Sequence, residues 1–268
     1  MSISSYDWNV LNAEVITGAM FKIHAKDYAG NLASAQSNNF FAIAGDSLSY
    51  NVSAGWNLMG VPMIPNNALV EDNITDDISG YWSVYGFTNG GYSFDSLFVP
   101  GNGYWLATLD DENIDVIGEP ILLDHTIDLE LGWNLISDPL VLDIDVDSLL
   151  FVDTNDLTEH HYQEAVANGW VNGIYGFDGI GYVDIAKLKS WSGYWIGMLS
   201  DSKQLILPIH KSVPDSGSLR NDENGWNISI QGFANGSKDV TTVLGVKEGA
   251  TEGFDPMYDV IKPPDIPG

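Results

Sequence analysis

Apolar and polar residues alternate with a period of two along several short stretches of the chain. Between residues 21 and 26, Phe21, Ile23 and Ala25 alternate with two lysines and a histidine. This period places one set of side chains on a buried face and the other in solvent, as in a strand at the surface of a core. Asn-Gly, Gly-Gly and Asp-Gly pairs separate the stretches and favour tight turns. The pattern predicts an all-β fold built from short strands.

Several phrases of the sequence occur twice. GWNLMGVP at 55–62 returns as GWNLISDP at 132–139, an offset of 77 residues. Two later phrases return at an offset of 90 residues, VYGFTNGGY (84–92) as IYGFDGIGY (174–182) and GNGYWL (101–106) as WSGYWI (191–196). The difference between the offsets is an insertion of 13 residues in the second copy. We therefore predict an internal duplication of small β-sandwich or barrel units in tandem.

The repeat divides the chain into four predicted segments. They are the C-terminal strands of an immunoglobulin-like domain (1–45), repeat unit 1 (46–122), repeat unit 2 with a helical insertion (123–210), and a linker with a C-terminal β module (211–268). The insertion predicts one short helix over 156–169, with Asp156 as N-cap, Glu159 at the third helical position and Gly169 at the end.

The repeated GWNL and GYW phrases resemble a duplicated module of large secreted proteins from Bacteroidetes-like and related bacteria. The stretch LGVKEGATEGFDPMYDVIKPPDIPG at 244–268 is similar to the segment that precedes a type IX secretion sorting domain in such proteins. Before residue 45, the pattern A-x-D-x-x-G-N followed by F-x-I resembles the last hairpin of immunoglobulin-like or fibronectin type III-like modules. The resemblance implies an extracellular or cell-surface location within a modular protein.

The charge balance narrows the range of partners. Ten Lys and Arg residues against 37 Asp and Glu leave a formal charge of −27. Such a surface repels phosphate backbones and anionic headgroups, so we expect neither nucleic acid nor a membrane surface as partner. The chain has no run of roughly 20 apolar residues, so membrane insertion is not expected either. Cations are the natural counterpart; dispersed acidic residues favour a solvating shell, with calcium as the one cofactor to consider.

Aromatic residues near glycine-rich turns are the candidate ligand-binding residues, since an aromatic ring can stack on the apolar face of a sugar. In the GYW phrases the Tyr and Trp side chains point to opposite faces of a strand, so we expect one of each pair to reach solvent. The candidates for a glycan surface are Tyr92, Tyr104, Tyr182 and Tyr194. The tryptophans of the GWN phrases, Trp56 and Trp133, are instead predicted to be buried.

A candidate metal site lies in the insertion of unit 2. The acidic turn with Asp153, Asn155 and Asp156 could place several oxygens around a calcium ion. His160 and Glu164 would share one face of the predicted helix and could ligate a transition metal. A solvated helix surface is favoured over this metal site, because the H-E-x-x-H pattern of zinc hydrolases requires a second histidine.

Signatures of common enzyme classes are missing from the sequence. It contains no G-x-S-x-G elbow, no phosphate-binding glycine loop followed by lysine and no dinucleotide fingerprint. We therefore expect a non-catalytic structural or adhesive segment of a modular extracellular bacterial surface protein, with a glycan or another surface protein as partner. The alternatives are a carbohydrate-binding module of a secreted polysaccharide-degrading protein and, less favoured, a metal-dependent hydrolase that uses His160 and Glu164.

Overall fold

Antiparallel β-strands dominate the structure, a computed structural model. It describes residues 16–20, 22–26, 30–37, 41–43, 47–209, 225–234, 237–247, 249–255, 259 and 261–267. Strands run through most of these ranges, and the helices among them are short. The prediction of an all-β fold is confirmed.

The elements follow the segments of the sequence. The strands before unit 1 are β1 (Ile16–Ala19), β2 (Lys22–Lys26), β3 (Leu32–Gln36) and β4 (Phe41–Ile43). Unit 1 contains β5 (Ser47–Val52), β6 (Gly55–Met59), β7 (Ile64–Pro65), α1 (Val70–Ile74), β8 (Trp82–Thr88), β9 (Gly91–Phe94), β10 (Tyr104–Thr108) and β11 (Glu112–Glu119).

Unit 2 and the segment after it also consist mainly of β-strands. Unit 2 contains β12 (His125–Leu129), β13 (Gly132–Ser137), β14 (Ile144–Asp145), a 3-10 turn (Val146–Ser148), β15 (Leu150–Asp153), β16 (Glu159–His161), α2 (Tyr162–Ala167), β17 (Val171–Phe177), β18 (Tyr182–Asp184), β19 (Lys187–Leu188), β20 (Gly193–Met198) and β21 (Lys203–Leu207). A long hairpin of β22 (Gly225–Ala234) and β23 (Ser237–Lys247) comes after it.

The strand predicted over residues 21–26 is present as β2. It pairs with β3, whereas the stretch around Phe41, expected to be its neighbour, pairs with β1. The immunoglobulin-like assignment of this segment stays a prediction.

Each unit contains one four-stranded antiparallel sheet, here called its inner sheet. The order is β6-β10-β8-β9 in unit 1 and β13-β20-β17-β18 in unit 2. In both inner sheets the GWN strand pairs with the GYW strand, and this pairs with the YGF strand. A hairpin then adds the edge strand that carries Tyr92 or Tyr182. The order of the repeated phrases across the two inner sheets is therefore the same.

A second sheet in each unit, its outer sheet, joins the first and last strands of that unit. The order is β5-β11-β7 in unit 1 and β12-β21-β15-β16 in unit 2. Apolar residues between the two sheets form a core in each unit. In unit 1, Ile114 from the outer sheet and Leu106 from the inner sheet are both 0% exposed. Leu205 and Ile196 hold the corresponding positions in unit 2.

The helix predicted over residues 156–169 is wrong in its first half. Asp156 Oδ1 accepts a hydrogen bond from the backbone of Thr158, and Leu157 has a φ of 61°, so the chain turns instead of coiling. Residues 159–161 then pair with β15, and the helix begins only at Tyr162. Strand pairing satisfies this backbone better than an isolated helical turn would. Gly169, with a φ of 68°, follows the helix as predicted.

Unit 1 also contains a helix, which the sequence did not predict. This helix, α1, is five residues long, too short to produce a periodic sequence pattern. Burial of Val70 and Ile74 against the core of unit 1 holds it in place.

Candidate functional site

The two inner sheets face each other through aromatic rings that form a third core, here called the shared core. Phe87 of unit 1 lies edge-on to Trp195 of unit 2, with ring centroids 4.7 Å apart and planes at 88°. The reverse contact joins Trp105 to Phe177, at 4.9 Å and 73°. Both pairs combine positions that are equivalent at the offset of 90. Because residue i contacts j and j contacts i, an approximate two-fold axis relates the two inner sheets.

Backbone hydrogen bonds between the units are reciprocal in the same way. Gly60 N donates a hydrogen bond to Trp191 O at 3.0 Å, and the equivalent Ser137 N donates to Gly101 O at 2.8 Å. The glycine of each GYW phrase lies where the units meet. A Cβ on Gly103 would fall 2.5 Å from the carbonyl oxygen of Ile136. A glycine therefore suits this position because the backbones of the two units approach too closely for a side chain.

The expectation that one member of each GYW pair reaches solvent is wrong, because both faces of the inner sheets are covered. Trp105 and Trp195 are 0% exposed in the shared core. Tyr104 and Tyr194 point the other way, into the cores of their own units, and are also buried. Buried on both sides, these strands read as nearly continuous apolar runs.

The hydroxyl groups of Tyr104 and Tyr194 bond to loop backbone, and their buried rings are not accessible to a ligand. Tyr104 Oη donates to Leu97 O at 3.0 Å and accepts from Val99 N at 2.7 Å. Tyr194 Oη accepts from Lys189 N at 2.6 Å in the equivalent loop of unit 2. Burial raises the pKa of Tyr194 to about 12 and that of Tyr104 further. Both phenols therefore stay protonated at neutral pH.

Tyr92 and Tyr182, the other two candidate tyrosines, lie together at one margin of the shared core. Each comes from the edge strand of its own inner sheet and is half-buried. Burial raises the pKa of Tyr182 to about 12. Burial also raises the pKa of Tyr92, with a further contribution from the neighbouring Tyr182. The site thus offers two neutral hydroxyl donors, one from each unit.

These two hydroxyls bind a distant part of the same chain, residues 261–267 (IKPPDIP), here called the proline-rich segment. Tyr182 Oη donates to Pro264 O and Tyr92 Oη donates to Asp265 O, each at 2.5 Å. The segment has neither helix nor ladder pairing, as its prolines predict. The candidate site is therefore a cleft between the units that holds an extended peptide.

Asn172 completes the cleft on the side of unit 2. Its side chain is only 4% exposed and lies in β17, where the pairing with β20 shifts register. Asn172 Oδ1 accepts from Ile261 N at 2.9 Å, and its Nδ2 donates to Asp259 O at 2.8 Å. The side-chain amide therefore bonds to the peptide as the backbone of a neighbouring strand would, accepting from one N–H and donating to one C=O.

The apolar part of the cleft is formed by the rings of the shared core. Ile266 packs against this cluster, and Pro263 and Pro267 are buried while Asp265 is exposed. Polar backbone groups of the segment thus meet Tyr92, Tyr182 and Asn172, and an aliphatic side chain meets aromatic carbon.

Trp56 and Trp133 line the rim of the shared core. Each is half-buried, not buried as predicted. Trp56 lies 6.1 Å from Trp105 and Trp133 lies 6.3 Å from Trp195, ring centre to ring centre and nearly perpendicular. The centre of the core is taken by the GYW tryptophans, which leaves the GWN rings partly in solvent.

The acidic turn of the predicted calcium site is occupied by other partners. Asp153 Oδ2 accepts from Lys203 Nζ at 2.8 Å, and its Oδ1 accepts from Asn155 N and Nδ2. The hydrogen bond from Lys203 is the main reason that the pKa of Asp153 is lowered. Asp156 caps the turn at Thr158. A cation would have to displace Lys203 to use Asp153 Oδ2.

His160 and Glu164 do not share a helix face, because His160 lies in strand β16. Their Nδ1 and Oε2 atoms are still 3.5 Å apart, and His160 Nε2 lies 3.1 Å from Asn168 Nδ2. The imidazole also rests against Trp170 at 4.6 Å. Within the described ranges, the structure does not bring three or more acidic or histidine ligands together at any point.

Two cavities of the described residues are small. One of about 130 Å³ is lined by Phe87, Trp133 and Asp128 among others, and one of about 280 Å³ lies beside Trp82 and Phe94. Sites for small molecules usually enclose about 300–1,000 Å³. The peptide cleft is therefore the better candidate for a functional site.

Tyr92 and Tyr182 were candidates from the sequence, for a glycan surface, whereas Asn172, Phe87 and Phe177 were not among the candidates. The phenylalanines carried a signal, since they stand two residues after a tyrosine in both YGF strands and so share its face. Asn172 carried none, because unit 1 has Trp82 at the equivalent position.

Comparisons with protein-family models, with curated proteins and with solved structures find no match for this chain. Among the residues that the structure describes, no helix combines the length and the apolar character needed to cross a membrane.

Proposed function

We propose that this chain is a non-catalytic structural segment of a modular extracellular bacterial surface protein. Its two units act in it as one rigid β body that spaces or presents neighbouring domains. The observation that carries the proposal is the reciprocal pair of contacts, Phe87 with Trp195 and Trp105 with Phe177, which joins the units through a buried core. The extracellular location rests on the sequence resemblance of the repeated phrases.

We further infer that the units are tandem β-sandwiches that arose by duplication. The equal order of the repeated phrases in the two inner sheets supports this inference. So does the exchange of equivalent backbone hydrogen bonds, Gly60 to Trp191 and Ser137 to Gly101. Two units of separate origin would have to share both the strand order and the reciprocal contacts by chance.

Joining the units strengthens a fold that is weak in single copy. A unit of roughly 75 residues buries too small a fraction of its surface to be more than marginally stable. The shared core adds aromatic pairs worth about 0.5–1.5 kcal/mol each beyond their buried area. The acidic surface adds solubility, because like-charged bodies repel one another. Rigidity and solubility are the properties that a spacer requires.

Pulling on single molecules of the full chain tests the proposal. If the units form one mechanical body, residues 47–209 unfold in one main event with an extension on the order of 500 Å. The matched control is the double variant Phe87→Ala/Phe177→Ala, which removes both edge-on contacts and is expected to split the event into two smaller ones. Two separate events in the unaltered chain, each about half as long, would contradict the proposal.

A further inference from the structure

The cleft at Tyr92 and Tyr182 matches the chemistry of a proline-containing peptide. Proline has no N–H, so its peptide units offer mainly carbonyl acceptors. The cleft presents hydroxyl donors to two successive carbonyls, those of Pro264 and Asp265. Grooves lined by aromatic residues recognise extended proline-rich peptides in this manner.

The donors are built into both units. Trp195 Nε1 donates to Tyr182 Oη at 3.1 Å, which fixes the phenol while its own hydrogen points to the peptide. Tyr92 comes from the edge strand of the other unit, so the cleft exists only where the two inner sheets meet. The site is thus a product of the shared core.

Asn172 provides an independent argument. It is a polar side chain buried to 4% exposure, and both ends of its amide bond to the peptide backbone at 259 and 261. Removal of the peptide would take from this amide both of its backbone partners, Asp259 O and Ile261 N. The amide reads backbone and not side chains, so it would accept other extended peptides.

We propose that this cleft is a recognition site for extended proline-containing peptides. The proline-rich segment occupies it as an intramolecular ligand, and a peptide of the same chemistry binds there in trans when that segment is displaced. The required ligand has two adjacent prolines followed, two positions later, by an aliphatic anchor such as Ile266. The intramolecular segment competes with the external peptide and so lowers its apparent affinity.

A binding experiment on the full chain tests the proposal. The probe is the peptide IKPPDIPG (residues 261–268) with a fluorescent label, followed by fluorescence anisotropy. In the variant Ile266→Glu the intramolecular segment loses its apolar anchor, so we expect the probe to bind at least ten-fold more tightly than to the unaltered chain. A second probe with glutamate in place of its isoleucine anchor is expected to bind at least ten-fold more weakly.

Two further variants locate the binding. Adding Tyr92→Phe or Tyr182→Phe to Ile266→Glu removes one donor and is expected to weaken the probe by about ten-fold. The matched control is Tyr81→Phe, since Tyr81 is 85% exposed in the same unit, and it is expected to leave binding unchanged. If Ile266→Glu alters the near-UV circular dichroism of the tryptophans, Ile266→Ala replaces it in the same design.

Three outcomes would overturn the proposal. The first is equal affinity of the probe for the unaltered chain and the anchor variant. The second is equal affinity for both probes, and the third is the same loss on Tyr81→Phe as on Tyr92→Phe. A mixture of the Ile266→Glu chain with the unaltered chain gives a further supporting outcome, which is the formation of concentration-dependent dimers. In such a dimer the unaltered chain supplies its proline-rich segment to the cleft of the variant. Addition of Tyr182→Phe to the Ile266→Glu chain should then abolish the dimers.

Discussion

Gly60 and Ser137 occupy equivalent positions in the two units and lie against each other on the approximate two-fold axis. A Cβ added to Gly60 would overlap the Cβ and Oγ atoms of Ser137. Both residues are buried, so neither can swing into solvent. Side chains on both residues would occupy the same space. This explains why one unit has glycine at this position where the other has serine.

The first prediction exchanges these two residues. Gly60→Ser places two side chains in the space of one and is expected to lower the free energy of unfolding by about 3 kcal/mol. The double variant Gly60→Ser/Ser137→Gly restores one side chain and is expected to recover most of this loss. Recovery will be incomplete, because the new Cβ also lies 3.2 Å from Asn102 O. Urea unfolding followed by tryptophan fluorescence measures all three proteins.

Ser137→Gly alone serves as the control for this cycle and is expected to cost about 1 kcal/mol or less. Additive effects of the two substitutions would mean that residues 60 and 137 do not meet, and the axis would then be wrong.

The repeated phrases were enough to predict short strands in both units, because glycine-containing turn pairs separate the phrases in each copy. They did not reveal which face each residue would occupy. Tyr104 and Trp105 have similar hydrophobicity, and both faces of their strand are covered. Alternation indicates a buried face only when the other face is wet, which is why a solvent-facing ring was wrongly expected here.

The peptide cleft could be predicted only in part. Tyr92 and Tyr182 were expected from the sequence to contribute to a glycan surface, but the segment that they bind lies up to 173 residues away along the chain. Extended, proline-containing sequence gives no periodicity that would indicate where it docks. The helix expected from Asp156 failed for a related reason, since pairing with β15 is non-local and overrode the local capping signal.

The second prediction measures the coupling across the shared core. A double-mutant cycle with Phe87→Leu and Trp195→Phe is expected to give a coupling of about 0.5–1.5 kcal/mol, and the cycle with Phe177→Leu and Trp105→Phe a similar value. The two values should agree because the contacts are equivalent across the axis. Phe98 belongs to the core of unit 1, so a cycle of Phe98→Leu with Trp195→Phe is expected to show additivity. A coupling in only one of the reciprocal pairs would refute the two-fold arrangement.

The third prediction concerns Asp138, which is 0% exposed. Burial raises its pKa well above the usual value, although Leu140 N donates to its Oδ1 at 2.9 Å. The folded protein therefore binds this proton more tightly than the unfolded chain does. The free energy of unfolding consequently falls as pH rises from about 4 through the folded-state pKa. Asp138→Asn is expected to remove this slope and to stabilise the protein at pH 7 by about 1 kcal/mol.

Urea unfolding between pH 4 and pH 8 gives the test, with the exposed Asp184→Asn as control. The control should keep the slope of the unaltered protein. An Asp138→Asn protein with the same slope would show that Asp138 is ionised in the folded state at ordinary pH.

The fourth prediction concerns the ion pair of Asp153 and Lys203. Lys203 is 6% exposed, and its ammonium also lies 4.6 Å from the centre of the Trp170 ring. Asp153→Asn leaves a buried ammonium without its carboxylate, so we expect it to lower the melting temperature more than Asp153→Asn/Lys203→Met does. The lowered pKa of Asp153 means that the pair stabilises the fold above pH 4 and loses this effect as pH falls further.

Calcium provides an additional measurement on the same pair. Because Lys203 holds the Asp153 carboxylate, calcium chloride is not expected to raise the melting temperature more than magnesium chloride does. A calcium-specific rise that Asp153→Asn abolishes would instead place the cation at this turn.

The fifth prediction uses a tryptophan in the left-handed region. Trp191 has a φ of 69° and stacks on Tyr50 of unit 1, with ring centroids 5.4 Å apart and planes at 9°. Its equivalent in unit 1, Gly101, has a φ of 89°. Left-handed backbone costs a residue with a Cβ roughly 1–2 kcal/mol, so the stack must offset this strain.

Replacing Trp191 by alanine or glycine separates the strain from the stack. Both variants lose the ring and are expected to cost about 3–5 kcal/mol, but glycine should cost about 1 kcal/mol less than alanine because it adopts a positive φ freely. At Thr126, an exposed strand position, the same pair of substitutions should follow the usual order with alanine more stable. Unfolding midpoints in urea decide the order. If Trp191→Ala is more stable than Trp191→Gly, the backbone at this position is not left-handed, and the stack on Tyr50 forms without strain.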